Sequence, residues 1–188
     1  GGGGCNSVDR LMRIGVHGAR TVAINTDAKH LQRTRADRTI LIGGNKTHGW
    51  GAGGRPEVGE SAADESRETL ADSMKGADLV FLTAGMGGGT GTGSAPVVAE
   101  IAREQGAIVV SIVTTPFDAE HGRADNARLG LEKLRRVSDS TIILDNNRLL
   151  KLVPKLPLDA ALSVMDQLIS EVIKSFTEAI NKDSLINI

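Results

Sequence analysis

The sequence predicts a doubly wound α/β fold with a mostly parallel sheet, and three observations support this. Short apolar runs alternate with amphipathic segments along most of the chain, which is the pattern of strands joined by crossover helices. The run 78–84 is apolar almost throughout, as expected for a strand that is buried on both faces. A glycine-rich segment follows it directly, and ligands bind at such strand ends in these folds.

The strands are predicted from apolar runs bounded by turn-forming residues, at 21–25, 39–42, 78–84, 107–114 and 140–145. The crossover helices are predicted near 6–15, 59–75, 94–105 and 119–136. A long final helix, about 158–181, carries apolar residues at helical spacing. Its apolar stripe is wide, so we expect either a core helix or a central helix packed between this domain and another.

Composition excludes several classes of protein. The 22 basic and 23 acidic residues nearly cancel, so no nucleic-acid partner is expected. No apolar run reaches the roughly 18 residues that a membrane helix needs, which predicts no direct membrane insertion. The single Cys5 excludes an internal disulfide and is consistent with a reducing cytoplasm. The chain opens on four glycines and ends on the apolar run 185–188, so we expect a fragment of a longer protein that forms one domain over 1–188.

Residues 85–93, GMGGGTGTG, stand directly between a predicted strand and a predicted helix. Glycine lacks a Cβ, so such a run can turn backbone N–H groups toward one anion. The helix expected to begin near Ser94 and Pro96 would add its positive end at the same point. A flexible linker is the alternative for a glycine-rich run, but linkers do not lie between two strongly patterned elements. We therefore expect a phosphate site.

Two common phosphate loops do not match this segment. A Walker loop needs a Gly-Lys pair that is absent here, and the nearest candidate, 43–47, is interpreted as a turn. The dinucleotide fingerprint GxGxxG fails because Thr90 and Thr92 stand where its last glycine would be. The pattern that remains is GGGTGTG at 87–93.

This heptapeptide resembles the signature loop of the tubulin and FtsZ superfamily of GTPases. Further segments resemble patterns of that family in the same order along the chain. They are GGGGCNSV at 1–8 (family GGGGxNAV), NTDA at 25–28, GWGAGGRPEVG at 49–59 (GxGAGGNPEIG), TPFDAE at 115–120 (KPFxFE), DNNRL at 145–149 (PNDRL) and ALSVMD at 161–166 (AFxxAD).

The resemblance implies a Rossmann-like GTPase topology and a set of nucleotide-binding residues. The phosphates of GTP are expected on the glycine loops, at Gly2, Gly3, Gly4, Ala52, Gly53, Gly54, Gly87, Gly88, Gly89, Thr90, Gly91, Thr92 and Gly93. The ribose and base are expected at Asn6, Glu120, Arg123, Asn146, Leu162 and Asp166.

Three residues depart from the family pattern. Arg123 stands one position early, and a surface ion pair with Glu120 is an equal alternative for it. Leu162 replaces a phenylalanine that stacks on the base, which predicts weaker nucleotide affinity. Asp145 stands where proline is usual, which favours an archaeal member of the family.

Asp166 is the residue from which we expect specificity for guanine. Guanine offers N1–H and an exocyclic amine side by side, and a carboxylate accepts from both, whereas adenine would place an acceptor there. A hydrogen bond to a charged group is worth roughly 1.5 to 3 kcal/mol, so Asp166 alone could give roughly a 10- to 150-fold preference. The alternative is a solvated carboxylate on the flank of the helix.

No catalytic residue is predicted within the chain. In the family, Mg²⁺ is carried on the phosphates, no protein ligand for it is expected here, and water is polarised by acids of an NxDxxD loop that serves the neighbouring subunit. Asn187 would begin that loop. The resemblance therefore implies GTP or GDP and Mg²⁺ as cofactors, head-to-tail filaments that hydrolyse GTP, and a division ring at mid-cell in the cytoplasm with tethering and regulatory partners. It also implies that a first strand and a second domain lie outside this chain.

Two other functions remain open from the residues alone. One is an NAD(P)-dependent oxidoreductase that uses 1–6 as a degenerate fingerprint and Asp27 for the ribose. The other is a filament protein that keeps its nucleotide without hydrolysing it.

Overall fold

Helices and strands alternate along the part of the chain that the computed structural model describes, residues 1–153 and 155–183, with the side chains of 181–183 left aside. The strands are β1 (Val22–Asn25), β2 (Arg38–Leu41), β3 (Leu79–Gly85), β4 (Ile108–Thr115) and β5 (Ser140–Asp145). The helices are α1 (Gly2–Ile14), α2 (Ala28–Arg33), α3 (Gly44–Thr47), α4 (Pro56–Glu65), α5 (Arg67–Met74), α6 (Thr90–Glu104), α7 (Arg123–Val137), α8 (Asn146–Leu152) and α9 (Leu158–Asp183).

The strands form two parallel groups. β1 pairs with β2, while β4 lies between β3 and β5. The register aligns Gly85 with Thr114 and Thr115 with Asp145, so the carboxyl ends of β3, β4 and β5 lie at one edge. The prediction of a mostly parallel sheet is confirmed.

A cavity of about 650 Å³ separates the two strand groups. It is lined by 21–24, which includes most of β1, and by 78–84, which includes most of β3, while α1 contacts both strands. Neither strand is hydrogen-bonded on this side to another strand of the described chain. The buried hydroxyl of Thr83, which lines the cavity, finds no hydrogen-bond partner there.

Helices cover both faces of β3 and β4, which confirms the doubly wound arrangement. Along β4, Val109 and Val113 pack in a core with residues of α4, α5, α6 and α7. Val110 and Ile112 point to the other face and pack with Leu11 of α1 and with α9 residues Met165, Ile169 and Ile173. This alternation follows from the two-residue period of a strand.

The long final helix is confirmed, and its burial is one-sided. Ala161, Met165 and Ile169 are almost fully buried, whereas another part of the apolar stripe remains exposed at Leu158, Leu162, Val164, Leu168, Phe176 and Ile180. The predictions for 185–188 and Asn187 lie outside the described residues.

Several predicted boundaries are wrong. The segment 59–75 is not one helix, because Ser66 leaves the helical conformation (φ −102°, ψ 14°) and its hydroxyl accepts from the Gly43 N–H. The segment 43–47 is not a simple turn, since 44–47 form the short helix α3. Helices α2 and α8 were not predicted, although Asp27 and Asp145 cap them by accepting from backbone N–H groups.

Two helices begin within segments that were predicted as glycine loops. α1 begins at Gly2, and α6 begins at Thr90 rather than near Ser94. Glycine is a poor helix former. Close packing nevertheless requires glycine at position 93, because a Cβ there would overlap the carbonyl oxygen of Pro56 in α4. The last four of the nine residues 85–93 therefore form the first turn of α6.

Candidate functional site

The N-termini of α1 and α6 meet beside the end of β3. An ideal Cβ at Gly1 would lie 2.9 Å from the Gly91 nitrogen, and one at Gly91 would lie 2.6 Å from the Gly85 oxygen. Only glycine allows this approach, since real Cβ atoms do not come so close. The first N–H groups of each helix have no partner within that helix, so two sets of donors and two positive helix ends converge.

A second loop, 51–55, lies against this point. A Cβ at Gly89 would lie 2.7 Å from the Arg55 nitrogen and 2.8 Å from the Ala52 Cβ. Gly53 and Gly54 have positive φ angles of 58° and 74°, which glycine adopts without strain. The structure thus brings together the three glycine-containing segments that were predicted to hold phosphates, and it does so by backbone contact.

The threonines of the glycine segment have structural partners. Thr92 is buried, and its hydroxyl accepts from the Gly87 N–H at 2.8 Å, which holds the loop closed. The Thr90 and Thr26 hydroxyls share a hydrogen bond of 2.7 Å. Their backbone N–H groups, rather than their hydroxyls, are the donors that lie in the first turn of α6.

A cavity of about 360 Å³ lies between α1 and α9. Asn6, Leu162 and Asp166, three of the residues predicted to contact the ribose or base, all line it. Its other lining residues are Asp9, Arg10, Arg13, Asp159 and Ser163. Asp166 lines this cavity and is partly buried, so it is less solvated than the alternative of a carboxylate on the flank of the helix predicts.

The environment of Asp166 changes its protonation. Burial raises the pKa of its carboxyl from 3.8 to about 6, although a hydrogen bond from Ser7 and the positive charge of Arg10 act in the opposite direction. The Ser7 hydroxyl donates to the Asp166 Oδ1 at 3.0 Å. The carboxylate is therefore the main form above about pH 6, and only that form can accept from two neighbouring donors.

Glu120 and Arg123 lie beside the glycine loop and bind each other. The Arg123 Nη1 lies 2.6 Å from the Glu120 Oε1, and the Glu120 Oε2 accepts from the Phe117 N–H at 2.9 Å. A Cβ at Gly87 would lie 3.0 Å from the Arg123 Cβ. The ion pair that was the alternative for Arg123 is thus present, next to the loop.

Asn146 follows β5 and begins α8. Its side chain is almost fully buried, and its Oδ1 finds no hydrogen-bond partner among the described residues. Buried polar atoms are nearly always paired, so this amide oxygen is suited to a ligand donor. Asn146, Glu120 and Arg123 are not among the residues that line the cavity around Asp166.

Sequence reasoning missed Arg10, which lines this cavity, and Ser7, which is buried behind it and contacts Asp166. Arg10 lines the cavity and donates to the Ser163 hydroxyl. Ser7 could have been found, because it stands where the family pattern GGGGxNAV has alanine. Its partner Asp166 lies 159 positions away, which local patterns do not reach.

Two kinds of feature are absent from the described residues. No group of three or more His, Cys, Asp or Glu residues in that part of the chain is placed to hold a metal ion. No helix there is both long and apolar enough to cross a membrane.

A parallel α/β fold with two helix N-termini converging on glycine loops defines a phosphate-binding domain of the nucleotide-binding class. Comparison with known proteins narrows the class. The model of the Tubulin/FtsZ family, GTPase domain, matches residues 1–154. The chain belongs to the Tubulin/FtsZ family, which leaves no support for the oxidoreductase alternative.

The chain is similar to curated proteins of archaea. It is 57% identical over 188 residues to cell division protein FtsZ 2 of Halobacterium salinarum, covering 100% of this chain and 48% of that protein. It is 55% identical over 188 residues to cell division protein FtsZ 2 of Methanocaldococcus jannaschii, covering 100% of this chain and 50% of that protein. The chain therefore spans about half the length of the curated relatives it matches, and the predicted archaeal relationship is confirmed.

A solved structure shares the fold. An FtsZ dimer from M. jannaschii superposes with a TM-score of 0.94 at 49% sequence identity, covering 100% of this chain and 55% of that chain. The predicted Rossmann-like tubulin/FtsZ topology is confirmed by this match.

Proposed function

We propose that the full-length protein binds GTP and hydrolyses it within head-to-tail filaments. The observation that carries this proposal is the convergence of the α1 and α6 N-termini on the glycine segment, with Asp166 in the cavity between α1 and α9. Family membership supports a GTPase. The relatives are named cell division proteins, and one similar structure is described as a dimer.

The phosphates of GTP are assigned to the backbone of the glycine segments. Donors fixed by the fold need no reorganisation when negative charge develops on the transferred phosphoryl group. Gly89 and Gly91 support this assignment. A Cβ at Gly89 would fill the space against loop 51–55, and a Cβ at Gly91 would fill the space against the end of β3. Thr92 contributes by holding Gly87 in place.

The base is assigned to the cavity between α1 and α9. Asp166 would accept from the N1–H and the amine of guanine, Leu162 would cover the ring, and Asn6 would lie beside it. Glu120 and Asn146 are assigned to the ribose and the base on the side of β4 and β5. Arg123 keeps Glu120 in place through the ion pair, and the unpaired buried oxygen of Asn146 supports its assignment.

Mg²⁺ is proposed as a cofactor carried on the phosphates, where it would neutralise charge on the β- and γ-oxygens. The acids that orient the attacking water are proposed to come from the next subunit, in the segment that begins at Asn187. In this arrangement the described residues bind and orient the nucleotide, and another copy of the chain completes the site.

Hydrolysis that depends on assembly is tested by its concentration dependence. We expect the rate per subunit of the full-length protein to rise with protein concentration and to level off once filaments form, because each site needs a neighbour. A rate per subunit that is constant down to dilute monomer would contradict this proposal. Recovery of intact GTP from assembled protein after long incubation would support the non-hydrolysing alternative instead.

We further propose that the protein acts in the cytoplasm, at the division site, with tethering and regulatory partners. This proposal is supported by the relatives, which are named cell division proteins. A fluorescent fusion of the full-length protein is expected to form a band at mid-cell before division. Uniform fluorescence through the division cycle would contradict this location.

A further inference from the structure

Ser7 is a buried polar residue at the contact between α1 and α9. It is 2% exposed, and its hydroxyl donates to the Asp166 Oδ1 at 3.0 Å. Its backbone oxygen accepts from the Ser170 hydroxyl of α9 at 2.9 Å. Ser7 therefore contacts the helix that carries Asp166 through both its side chain and its backbone.

The Ser7 hydroxyl has a second acceptor within reach. The Gly3 carbonyl oxygen, one turn back in α1, lies 3.2 Å from the Ser7 Oγ. The Ser7 hydroxyl has one proton and donates fully to only one of these two acceptors. A hydrogen bond to an ionised group is about twice as strong as a hydrogen bond between two neutral groups. The hydroxyl therefore binds the carboxylate when Asp166 is charged and can turn to Gly3 when it is not.

Among the described residues, the charged side chains around Asp166 form no hydrogen bond with its carboxylate. The cavity is lined by Asp9, Arg10 and Arg13 of α1 and by Asp159 of α9. Arg13 forms an ion pair with Asp9 at 2.8 Å, and Arg10 donates to Ser163. Among the described residues, Ser7 is the one whose side chain makes a hydrogen bond to the Asp166 carboxylate.

We propose that Ser7 is a positioning residue for guanine recognition, which orients the Asp166 carboxylate toward the base and sets the pH range over which the protein prefers guanine. This inference rests on the proposed function, in which Asp166 reads the base. In this proposal Ser7 contacts no nucleotide atom and acts through the Asp166 side chain.

The test compares GTP with inosine triphosphate, which lacks the exocyclic amine, from pH 5 to pH 8 in the full-length protein. The two nucleotides carry the same triphosphate, so protonation of the phosphates cancels in the ratio of their affinities. In the unmodified protein we expect the preference for GTP to fall as the pH drops through about 6. In Ser7→Ala we expect the midpoint to move up by about one pH unit, because a hydrogen bond to the charged form is lost.

Two further variants separate this role from packing. Ser170→Ala removes a fully buried hydroxyl from the same helix contact, but that hydroxyl binds only backbone oxygens. We expect its midpoint to match the unmodified protein. Ser7→Cys keeps nearly the same volume with a weak donor, and we expect its midpoint to move up, which keeps the test decisive if Ser7→Ala does not fold.

The outcomes distinguish the two proposals. If Asp166→Asn loses the preference for GTP while the curves of Ser7→Ala or Ser7→Cys coincide with the unmodified protein, the role of Ser7 is overturned and the assignment of Asp166 stands. If Asp166→Asn keeps the preference, the assignment of Asp166 fails. A midpoint moved equally by Ser170→Ala would also overturn the inference, since packing would then explain it.

Discussion

At the scale of single residues, Asp166 combines a proposed binding role with an environment that is unfavourable for its charge. A carboxylate loses hydration when it is buried, and the pKa of Asp166 is about 6 instead of 3.8 for this reason. The folded state therefore disfavours the charged form that the guanine assignment needs. Functional sites often carry groups of this kind.

The first prediction follows from the sign of this shift. Because the folded pKa of this acid is raised, its ionisation destabilises the fold as the pH rises from about 3.8 to about 6. We expect Asp166→Asn to raise the melting temperature of the nucleotide-free protein at pH 7.5, and the gain to shrink as the pH falls through this range. Thermal unfolding between pH 4 and pH 8 measures it.

Asp159→Asn is the matched control. Asp159 lines the same cavity and is exposed. Its replacement therefore removes the same negative charge as Asp166→Asn, but from an exposed carboxylate and not from a partly buried one. We expect no gain in melting temperature at pH 7.5. Equal gains for the two variants would indicate that net charge, rather than burial of Asp166, sets the effect.

At the scale of elements, the contact between α4 and α6 depends on the absence of side chains. Gly93 lies within α6, where alanine would normally favour the helix by about 1 kcal/mol. A Cβ at this position would overlap the Pro56 oxygen and lie 2.6 Å from the Glu60 nitrogen. Close approach of two helices, rather than loop flexibility, explains this glycine.

The second prediction is that Gly93→Ala destabilises the protein despite its better helix propensity. Overpacking of this kind costs about 1 to 3 kcal/mol, and denaturant unfolding measures it. Gly88→Ala is the control, because a Cβ at Gly88 would have no heavy atom within 4 Å and its φ is not positive. Equal unfolding midpoints for the two variants would contradict the argument.

The third prediction concerns α9, which buries one side and exposes another. Ile169 is 2% exposed and Leu168 is 41% exposed among the described residues. We propose that a second domain of the full-length protein covers the exposed side. Ile169→Ala is expected to cost about 2 to 5 kcal/mol, and Leu168→Ala is expected to cost more than the few tenths typical of a surface site.

Denaturant unfolding of the full-length protein checks this expectation. Leu129→Ala is the matched control, since Leu129 of α7 is 51% exposed on a different face of the domain. If Leu168→Ala and Leu129→Ala have the same small effect, the exposed side of α9 faces solvent.

At the scale of the whole molecule, the cavity between β1 and β3 is the main gap in the sheet. Two strand edges face it, and unpaired backbone groups at a strand edge readily bind another strand. The buried, unpaired Thr83 hydroxyl is at the same place. We propose that a further strand of the full-length protein, outside residues 1–188, fills the cavity and joins the two groups into one sheet.

The fourth prediction compares residues 1–188 with a chain extended at the N-terminus by about a dozen residues of the parent sequence. We expect the shorter chain to unfold at lower denaturant concentration and to bind nucleotide poorly, because hydrophobic burial and strand pairing are incomplete. An extension of equal length with prolines at alternate positions is the control, since proline donates no hydrogen bond to a neighbouring strand. GTP-dependent stabilisation of the shorter chain equal to that of the extended one would contradict the proposal.

The sequence by itself determined the strands, the long final helix and the family. The five strands begin and end within one residue of their predicted positions, and β5 matches at both ends, because alternation and apolar runs are local properties. The glycine segment and the long helix were predicted from local patterns too, and the candidate nucleotide residues were predicted from short segments that resemble family motifs. These features depend on residues that are near one another in the chain.

Only the tertiary structure decided which residues meet and how deeply they are buried. Asp166 was predicted as a base contact, but its raised pKa follows from burial against α1, and its bond to Ser7 spans 159 positions. The break at Ser66 is accompanied by a contact with Gly43, and the glycine at position 93 is explained by its packing against Pro56. Packing across long separations sets these features, and no local pattern in the chain contains that information.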